Sequence, residues 1–394
     1  MGGALMDDAL TDDGLTDDDL CLLLAEVQRF QRKSVQPLAA RPERTIDAAQ
    51  LASLTRQATE FGLLNPHPAT GSGIWEDTGG QGWVRFSSAA LRTVAQAGAG
   101  VAFHFHQLAL GDYVRRRLGR VCGPPSVVCL QGTFGLARYS LARLLKSKPL
   151  DDDDRAVLKD YFFTPDASEP KPLLFQAADD WHQLLVPCLD ERCRLSWSAF
   201  ARDDLDLQAL PHSHGLNETL VWQWQPGDRP PRRLAAEHAA AGHEAGLATY
   251  LAAFQLNALA LIAIAWGAVQ QGYDKAREYA ALRRQGGAPI QQHAAVRLML
   301  ARAAGVLRTV SLLCDRLACL PVARESLGTV VAVRGEAHDL LCAAANESLQ
   351  TLGGAGYTCE AGLEKIVRDA NHLRLLCGTP DELRMFLSEW ENGA

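Results

Sequence analysis

The sequence predicts an α+β protein: an N-terminal helical region, a middle β region and a C-terminal four-helix bundle. Three observations predict it. Apolar residues recur at helical spacing through the first third; between Pro124 and about Pro231 the pattern shifts to short β-rich runs parted by turn residues; from Ala240 long Ala- and Leu-rich helical stretches return. The expected divisions are residues 1–123, which include an acidic leader, then 124–235 and 236–394.

The elements follow in order. Leu20 to Val35, Ala48 to Leu63 and Ser87 to Leu118 carry helical spacing, interrupted by the Pro- and Gly-rich segment from Pro66 to Gly82. Short strands are expected at Val127–Leu130, Tyr161–Thr164, Leu173–Gln176, Trp181–Pro187, Arg194–Phe200 and Thr219–Trp224, with the acidic run Asp151–Asp154 as a separator. Trp181 and His182 read as the start of a strand with one half-exposed face. The C-terminal helices break at Gly286-Gly287-Ala288-Pro289, at Pro321 and at Gly353-Gly354.

Bulk properties exclude several classes. With 394 residues, 47% hydrophobic and 22% charged, the chain can bury a large core and divide into two or three domains. A net charge of −7 leaves no footprint for nucleic acid, and no Lys/Arg run suggests a membrane surface. The leader carries Asp7, Asp8, Asp12, Asp13, Asp17, Asp18 and Asp19 with no basic residue before Arg29, the reverse of a signal or transit peptide, so a cytoplasmic location is expected. The ten cysteines are scattered, and the nearest pairs, Cys188 with Cys193 and Cys314 with Cys319, lack zinc-site spacing. Free thiols and no metal are expected. The apolar run Leu251–Val269 is long enough to span a bilayer, but it contains Gln255 and Asn257, lacks flanking Lys or Arg and stands alone, so a helix buried on all sides is the better reading.

The stretch from Gln350 to Thr379 reads QTLGGAGYTCEAGLEKIVRDANHLRLLCGT. Its glycines, the Arg368-Asp369-Ala370 triplet and the closing Gly378-Thr379 resemble the C-terminal signature of the acyl-CoA dehydrogenase family at matching spacing. Upstream, Tyr279, Ala280, Arg283, Gly287-Ala288-Pro289-Ile290 and His293 are similar to that family's Y-A-x-x-R-x-x-F-G-x-P-I…Q, with Gly286 in place of the phenylalanine and Ala294 in place of the glutamine. The order helices, β domain, helix bundle extends the resemblance in outline to nearly the whole chain.

The resemblance implies a flavoprotein that binds FAD, an acyl-CoA or acyl-carrier thioester as substrate, and oxidation of its CH–CH group in fatty-acid metabolism. It implies a homo-oligomer, dimer or tetramer, or a heteromer with a homologous subunit. It assigns Arg283, Gln285, His293, Gln350, Gly353, Gly354, Gly356 and Thr379 to the cofactor. Arg283 suits a pyrophosphate through its fixed charge and forked donors, and glycines allow close backbone approach and positive φ.

The chemistry departs from the family. The residue before Gly378-Thr379, ordinarily the glutamate that removes the substrate α-proton, is Cys377. The alternative glutamate position of isovaleryl-type members falls on Asn257, and the family's D-x-x-R falls on Gln255-Leu-Asn-Ala258, without its arginine. The T-E-P-x-x-G-S-D loop corresponds to Cys129–Arg138 and is almost wholly replaced. Phe162-Phe163-Thr164 stands for the W-x-T/S that packs on the flavin ring, or else is a sandwich-core strand. Cys377 is read as a small buried space-filler, or as a thiol base, a covalent trap or a cavity wall; a thiol of ordinary pKa, about 8.5, is mostly protonated at neutral pH. His104 and His106, in the F-H-F-H run, line either core or cavity. Three functions follow: a dehydrogenase, alone or with a partner that supplies the missing base; a flavin enzyme of the same fold with other chemistry, such as monooxygenation; and a non-catalytic scaffold subunit.

Overall fold

The computed structural model describes residues 15–39, 44–64, 73–75, 81–119, 123–130, 134–164, 172–210, 213–225 and 242–392. Most of the acidic leader, most of the Pro/Gly-rich segment and the expected junction near residue 235 lie outside the described residues.

Helix α1 (Asp17–Phe30) opens on a reciprocal cap, in which the Thr16 hydroxyl accepts from the Asp19 amide and the Asp19 carboxylate accepts from Thr16. It buries Leu20, Leu23, Val27 and Phe30, the spacing of one helical face. A π-turn (Gln31–Val35) leads into the short α2 (Gln36–Ala39), followed by α3 (Ala48–Phe61), capped by Asp47. The long segment expected from Ser87 to Leu118 is two helices, α4 (Gln81–Ala95) and α5 (Ala99–Arg117), parted at Gln96–Gly98. Periodicity could not separate them, because α5 is buried nearly all round and carries no polar face to re-phase the pattern.

The strands form two small sheets. In one, β1 (Ser126–Val128) runs parallel to β3 (Gln183–Leu189), which pairs antiparallel with β4 (Leu195–Ala201); in the other, β2 (Leu173–Ala177) and β5 (Leu207–Leu210) flank β6 (Leu220–Trp224). Strand β3 is buried on both faces. Leu184, Val186 and Cys188 enter an aromatic core with Phe163, Phe175, Phe200, Trp222 and Trp224, while Leu185 and Leu189 join the main helical core. Trp181, expected on a half-exposed strand, precedes β3 and is 1% exposed, edge-on to Phe175 and beneath Arg202; His182 is exposed.

Two helices interrupt this region, α6 (Arg138–Leu145) and α7 (Asp152–Tyr161). The acidic run read as a separator is instead the start of α7: Asp151 caps it, and Asp152 to Asp154 sit in its first turn, where carboxylates oppose the helix dipole. Tyr161–Thr164 is accordingly not a strand. Tyr161 ends α7, and Phe163 makes one isolated bridge to Cys188.

The C-terminal part is a helical bundle. Its central member, α8 (Gly242–Leu282), has 41 residues and contacts α4, α5, β4, α9 (Ala294–Ala318), α10 (Arg324–Thr351) and α11 (Leu363–Leu375). Its most apolar stretch is 94% buried among these neighbours, which accounts for the membrane-like run within the protein. Helix α12 (Pro380–Asn392) packs on α10 and α6. Close approach needs glycine where α4 crosses α8: a Cβ on Gly267 would stand 2.2 Å from the Arg92 carbonyl oxygen. All nine described cysteines are free, six of them buried, and no His, Cys, Asp or Glu cluster among the described residues could hold a metal.

Candidate functional site

The residues singled out in the sequence separate into two places. One is an exposed end of the bundle. After α8, β7 (Arg284–Gln285) and β8 (Ala288–Pro289) form a two-residue hairpin whose central Gly286 and Gly287 have φ of 61° and 85°. Positive φ at both central positions favours the Gly-Gly pair and would strain a phenylalanine at Gly286. His293 fastens the hairpin through its Nε2 and the Gln285 carbonyl oxygen, 3.0 Å apart. Arg283 and the Gln285 side chain are exposed. Helix α10 ends nearby, since Ala276 and Tyr279 share a small apolar cluster with Leu349, Leu352 and Leu363. Gln350, Gly353 and Gly354 are exposed there, and a Cβ on either glycine would meet no atom within 4 Å. Gly356 serves a local need: a Cβ there would stand 2.4 Å from the Leu349 carbonyl oxygen.

The second place is interior. Cys377, 3% exposed, sits in the turn between α11 and α12 at φ 54°, with Gly378 at 97°. Helix α12 starts on a T-P-x-E cap: Thr379 N donates to Glu382 Oε2 at 2.8 Å and Thr379 Oγ1 accepts from Glu382 N at 3.3 Å. Arg334 of α10 holds the turn from behind, its guanidinium donating to the carbonyls of Leu376, Cys377 at 2.6 Å and Gly378 at 3.4 Å. The turn presents the Cys377 sulfur to the Asn257 amide of α8. The two positions from which family members draw their base are thus brought into contact, one a thiol and the other an amide.

Behind Asn257 the hydrogen bonds run in one direction. Trp75 Nε1–H donates to His106 Nδ1 at 3.0 Å, so the imidazole proton lies on Nε2, which donates to Asn257 Oδ1 at 2.9 Å. The Asn257 amide then faces Cys377. A side-chain amide does not pass a proton along, so the chain orients Asn257 rather than conducting. Burial is the main influence on both ends of it: it pushes the Cys377 thiol up, against the opposing pull of Arg334 and the Asn257 amide, and it lowers His106 to about 4. The carboxylate whose charge reaches Cys377 is that of Glu382, already committed to the amides of Thr379 and Gly135. Among the described residues the centre therefore contains a neutral thiol and no free base. Sequence reading flagged His106 but not Trp75, which lies in the turn-rich segment far from any helical pattern. It also missed Arg334 and His338, although a charged and a titratable residue one turn apart on the apolar stripe Val330-Val331, Ala337, Leu341 was a readable signal.

His106 carries a pH prediction. Its ordinary value is 6.5 and its folded value about 4, so between these the unfolded chain binds more protons and stability rises with pH. Acidification from pH 6.5 to 4 is expected to remove roughly 3 kcal/mol through this residue. His338, lowered well below its ordinary value by burial and by Arg334 and Arg374, acts with the same sign. Urea midpoints measured across that range should slope less steeply in His106→Gln; an unchanged slope would remove His106 from the account.

Aromatic rings fill the space beside Cys377. The Phe134 ring lies 2.9 Å from where a Cβ on Gly378 would stand and packs on Tyr161, Phe254 and Phe386. The hydroxyls of Tyr161 and Tyr250 are 3.3 Å apart. Phe162, 4% exposed, is edge-on to Tyr161 and Tyr250, and Thr164 Oγ1 donates to the Lys159 carbonyl at 3.3 Å. The rings are engaged with one another and Thr164 with the backbone at Lys159, so the described residues do not fit a flavin ring lodged in this chain. The open glycines and free-standing guanidinium of the bundle end do fit approach to a polyanionic cofactor from outside.

Arg368-Asp369, so informative as a motif, are a clasp. Arg368 donates to Glu364, to the His214 carbonyl at 2.9 Å and to Asn217 Oδ1 at 2.7 Å; Asp369 accepts from the Leu216 amide at 2.7 Å and from Lys365 at 2.7 Å. Lys365 also reaches Glu218 at 3.1 Å. The pair binds the loop before β6 onto α11.

Residues 244–391 match the family model for the acyl-CoA dehydrogenase C-terminal domain. The 3-sulfinopropanoyl-CoA desulfinase of Paraburkholderia xenovorans (strain LB400) is 29% identical over 141 residues, 36% of this chain and 36% of that protein, so the likeness spans about a third of the curated relative. Over the whole chain the fold is similar to glutaryl-CoA dehydrogenase from Mycobacterium smegmatis in complex with FADH2, with a TM-score of 0.68, 14% identity and 96% of each chain covered. It is likewise similar to nitroalkane oxidase crystallised with 1-nitrohexane, at 0.73, 13% and 97% of each. The C-terminal region, residues 244–391, thus carries the acyl-CoA dehydrogenase C-terminal domain, and the whole chain has the acyl-CoA dehydrogenase fold.

Proposed function

We propose that this chain is one subunit of an FAD-dependent, cytoplasmic acyl-CoA dehydrogenase-type enzyme that oxidises the CH–CH group of an acyl thioester, and that a homologous partner supplies the α-proton base and the flavin-ring pocket. This chain contributes the bundle end to the partner's cofactor, with Arg283 toward the pyrophosphate and the Gln350–Gly356 turn alongside. The observation that carries the reading is the division of the site: the cofactor-facing positions at the bundle end are exposed, whereas the base positions Cys377 and Asn257 meet in a packed interior in which no described residue is a free carboxylate.

The test is the absorption spectrum of the chain purified alone and co-expressed with a family member that carries the glutamate. The chain alone is expected to be colourless and the complex to show flavin bands. Arg283→Ala is expected to weaken flavin retention by the complex about 10- to 100-fold, the loss of one or two charge-assisted hydrogen bonds. Full flavin on the chain alone would overturn the reading and favour a flavin enzyme with other chemistry; a colourless complex would favour a scaffold. In the complex, Cys377→Glu is expected to leave turnover unchanged, and a gain would return the base to this chain.

A further inference from the structure

Arg334 has no exposed surface. Its terminal nitrogens serve the three carbonyls of the 376–378 turn, while its Nε has no hydrogen-bond partner among the described residues. A guanidinium remains charged at any pH a folded protein meets. Among the described residues no carboxylate bridges it, and the ionisable group it meets is the Cys377 thiol, a hydrogen-bond partner that burial keeps protonated and so uncharged. The carbonyls at the C-terminus of α11 supply about half a negative charge, so a substantial part of the buried cation is left uncompensated.

One turn along α10 stands His338, 1% exposed, with neither ring nitrogen partnered among the described residues. It is held neutral by burial and by the charges of Arg334 and Arg374, and Arg374 itself is engaged by Asp339 at 2.7 Å. A neutral imidazole carries one N–H. Two unpartnered, fully buried donors therefore share one helix face, with Cβ atoms roughly 5–6 Å apart, in a field of positive sign.

We propose that Arg334 and His338 bind one small monovalent inorganic anion of halide size, behind the turn that carries Cys377. A water would satisfy the two donors but leave the charge. A tetrahedral oxyanion would bury oxygens that have no donors to meet them. Two donors one helical turn apart suit a single-atom ion. Because Arg334 also faces the Cys377 sulfur, the bound anion weakens its pull on that thiol, so the acidity of Cys377 depends on halide.

The test uses the full chain. Crystals grown in sodium bromide are expected to show an anomalous peak within hydrogen-bond distance of Arg334 Nε and a ring nitrogen of His338. No peak there, or an ordered water alone, overturns the proposal. In solution at constant ionic strength, Tm is expected to rise saturably as chloride replaces isethionate, and His338→Phe, which keeps the cation but removes a donor, should abolish the difference. Equal Tm values in the two salts for the unaltered protein would overturn it as well.

Discussion

Lys365→Met is expected to destabilise the protein by about 3–5 kcal/mol, because it leaves two buried carboxylates without their cation. The ammonium lies 2.7 Å from Asp369 Oδ2 and 3.1 Å from Glu218 Oε1, and both acid side chains are at most 4% exposed. Burial alone would lower Lys365; Asp369 and Glu218 outweigh it and hold the ammonium above its ordinary value. The three residues join different parts of the fold: Glu218 belongs to the loop before β6, and Lys365 and Asp369 to α11. Glu218 also lies against α5, where a Cβ on Gly100 would fall 2.0 Å from its Oε2. The lesion should therefore open this junction first. Amide exchange in residues 213–219 and in β6 is expected to quicken more than exchange in α8. A loss under about 1 kcal/mol, with exchange unchanged, would mean that the carboxylates find other partners or water.

Arg334→Met is expected to cost about 2–4 kcal/mol. The substitution leaves the Leu376, Cys377 and Gly378 carbonyls without donors, each worth about 1–3 kcal/mol when buried, and the relief of removing a buried charge offsets part of that. It also frees a turn with two successive positive φ values, one of them at a residue with a side chain. Arg334→Lys should recover only part of the loss, since an ammonium cannot span three carbonyls as a planar fork does. Chemical denaturation midpoints of the three proteins test the order. Equal midpoints for Met and Arg would show that the turn stands without its clamp.

Much of the fold was legible because its signals are local. The T-P-D-E cap of α12, the Gly-Gly hairpin after α8 and the helix breaks at Pro321 and Gly353 lie within a few residues of the structures they make. The acidic run at Asp151 carried a signal of the same kind, a cap and a first turn, and it was misread because charge was weighed before position. Tyr161–Thr164 reads as β from composition alone, and only the preceding α7 turns it into a helix end. The candidate site was harder. Position 377 was found by its motif, but a motif cannot say that Asn257, 120 residues earlier, would touch it. Neither could it say that Trp75 and His106 would hold Asn257 in place.

The amino-acid sequence by itself determined the α+β class, the C-terminal domain signature and the absence of a carboxylate at positions 257 and 377, since residue identity and short-range spacing suffice for each. Only the tertiary structure decided that Cys377 and Asn257 form one contact, that Arg368-Asp369 is a clasp, and that Arg334 is buried with no carboxylate partner among the described residues. The physical reason is that desolvation and hydrogen-bond partners depend on which distant segments pack together, and those quantities set whether a thiol, an amide or a guanidinium is inert, structural or ready to bind.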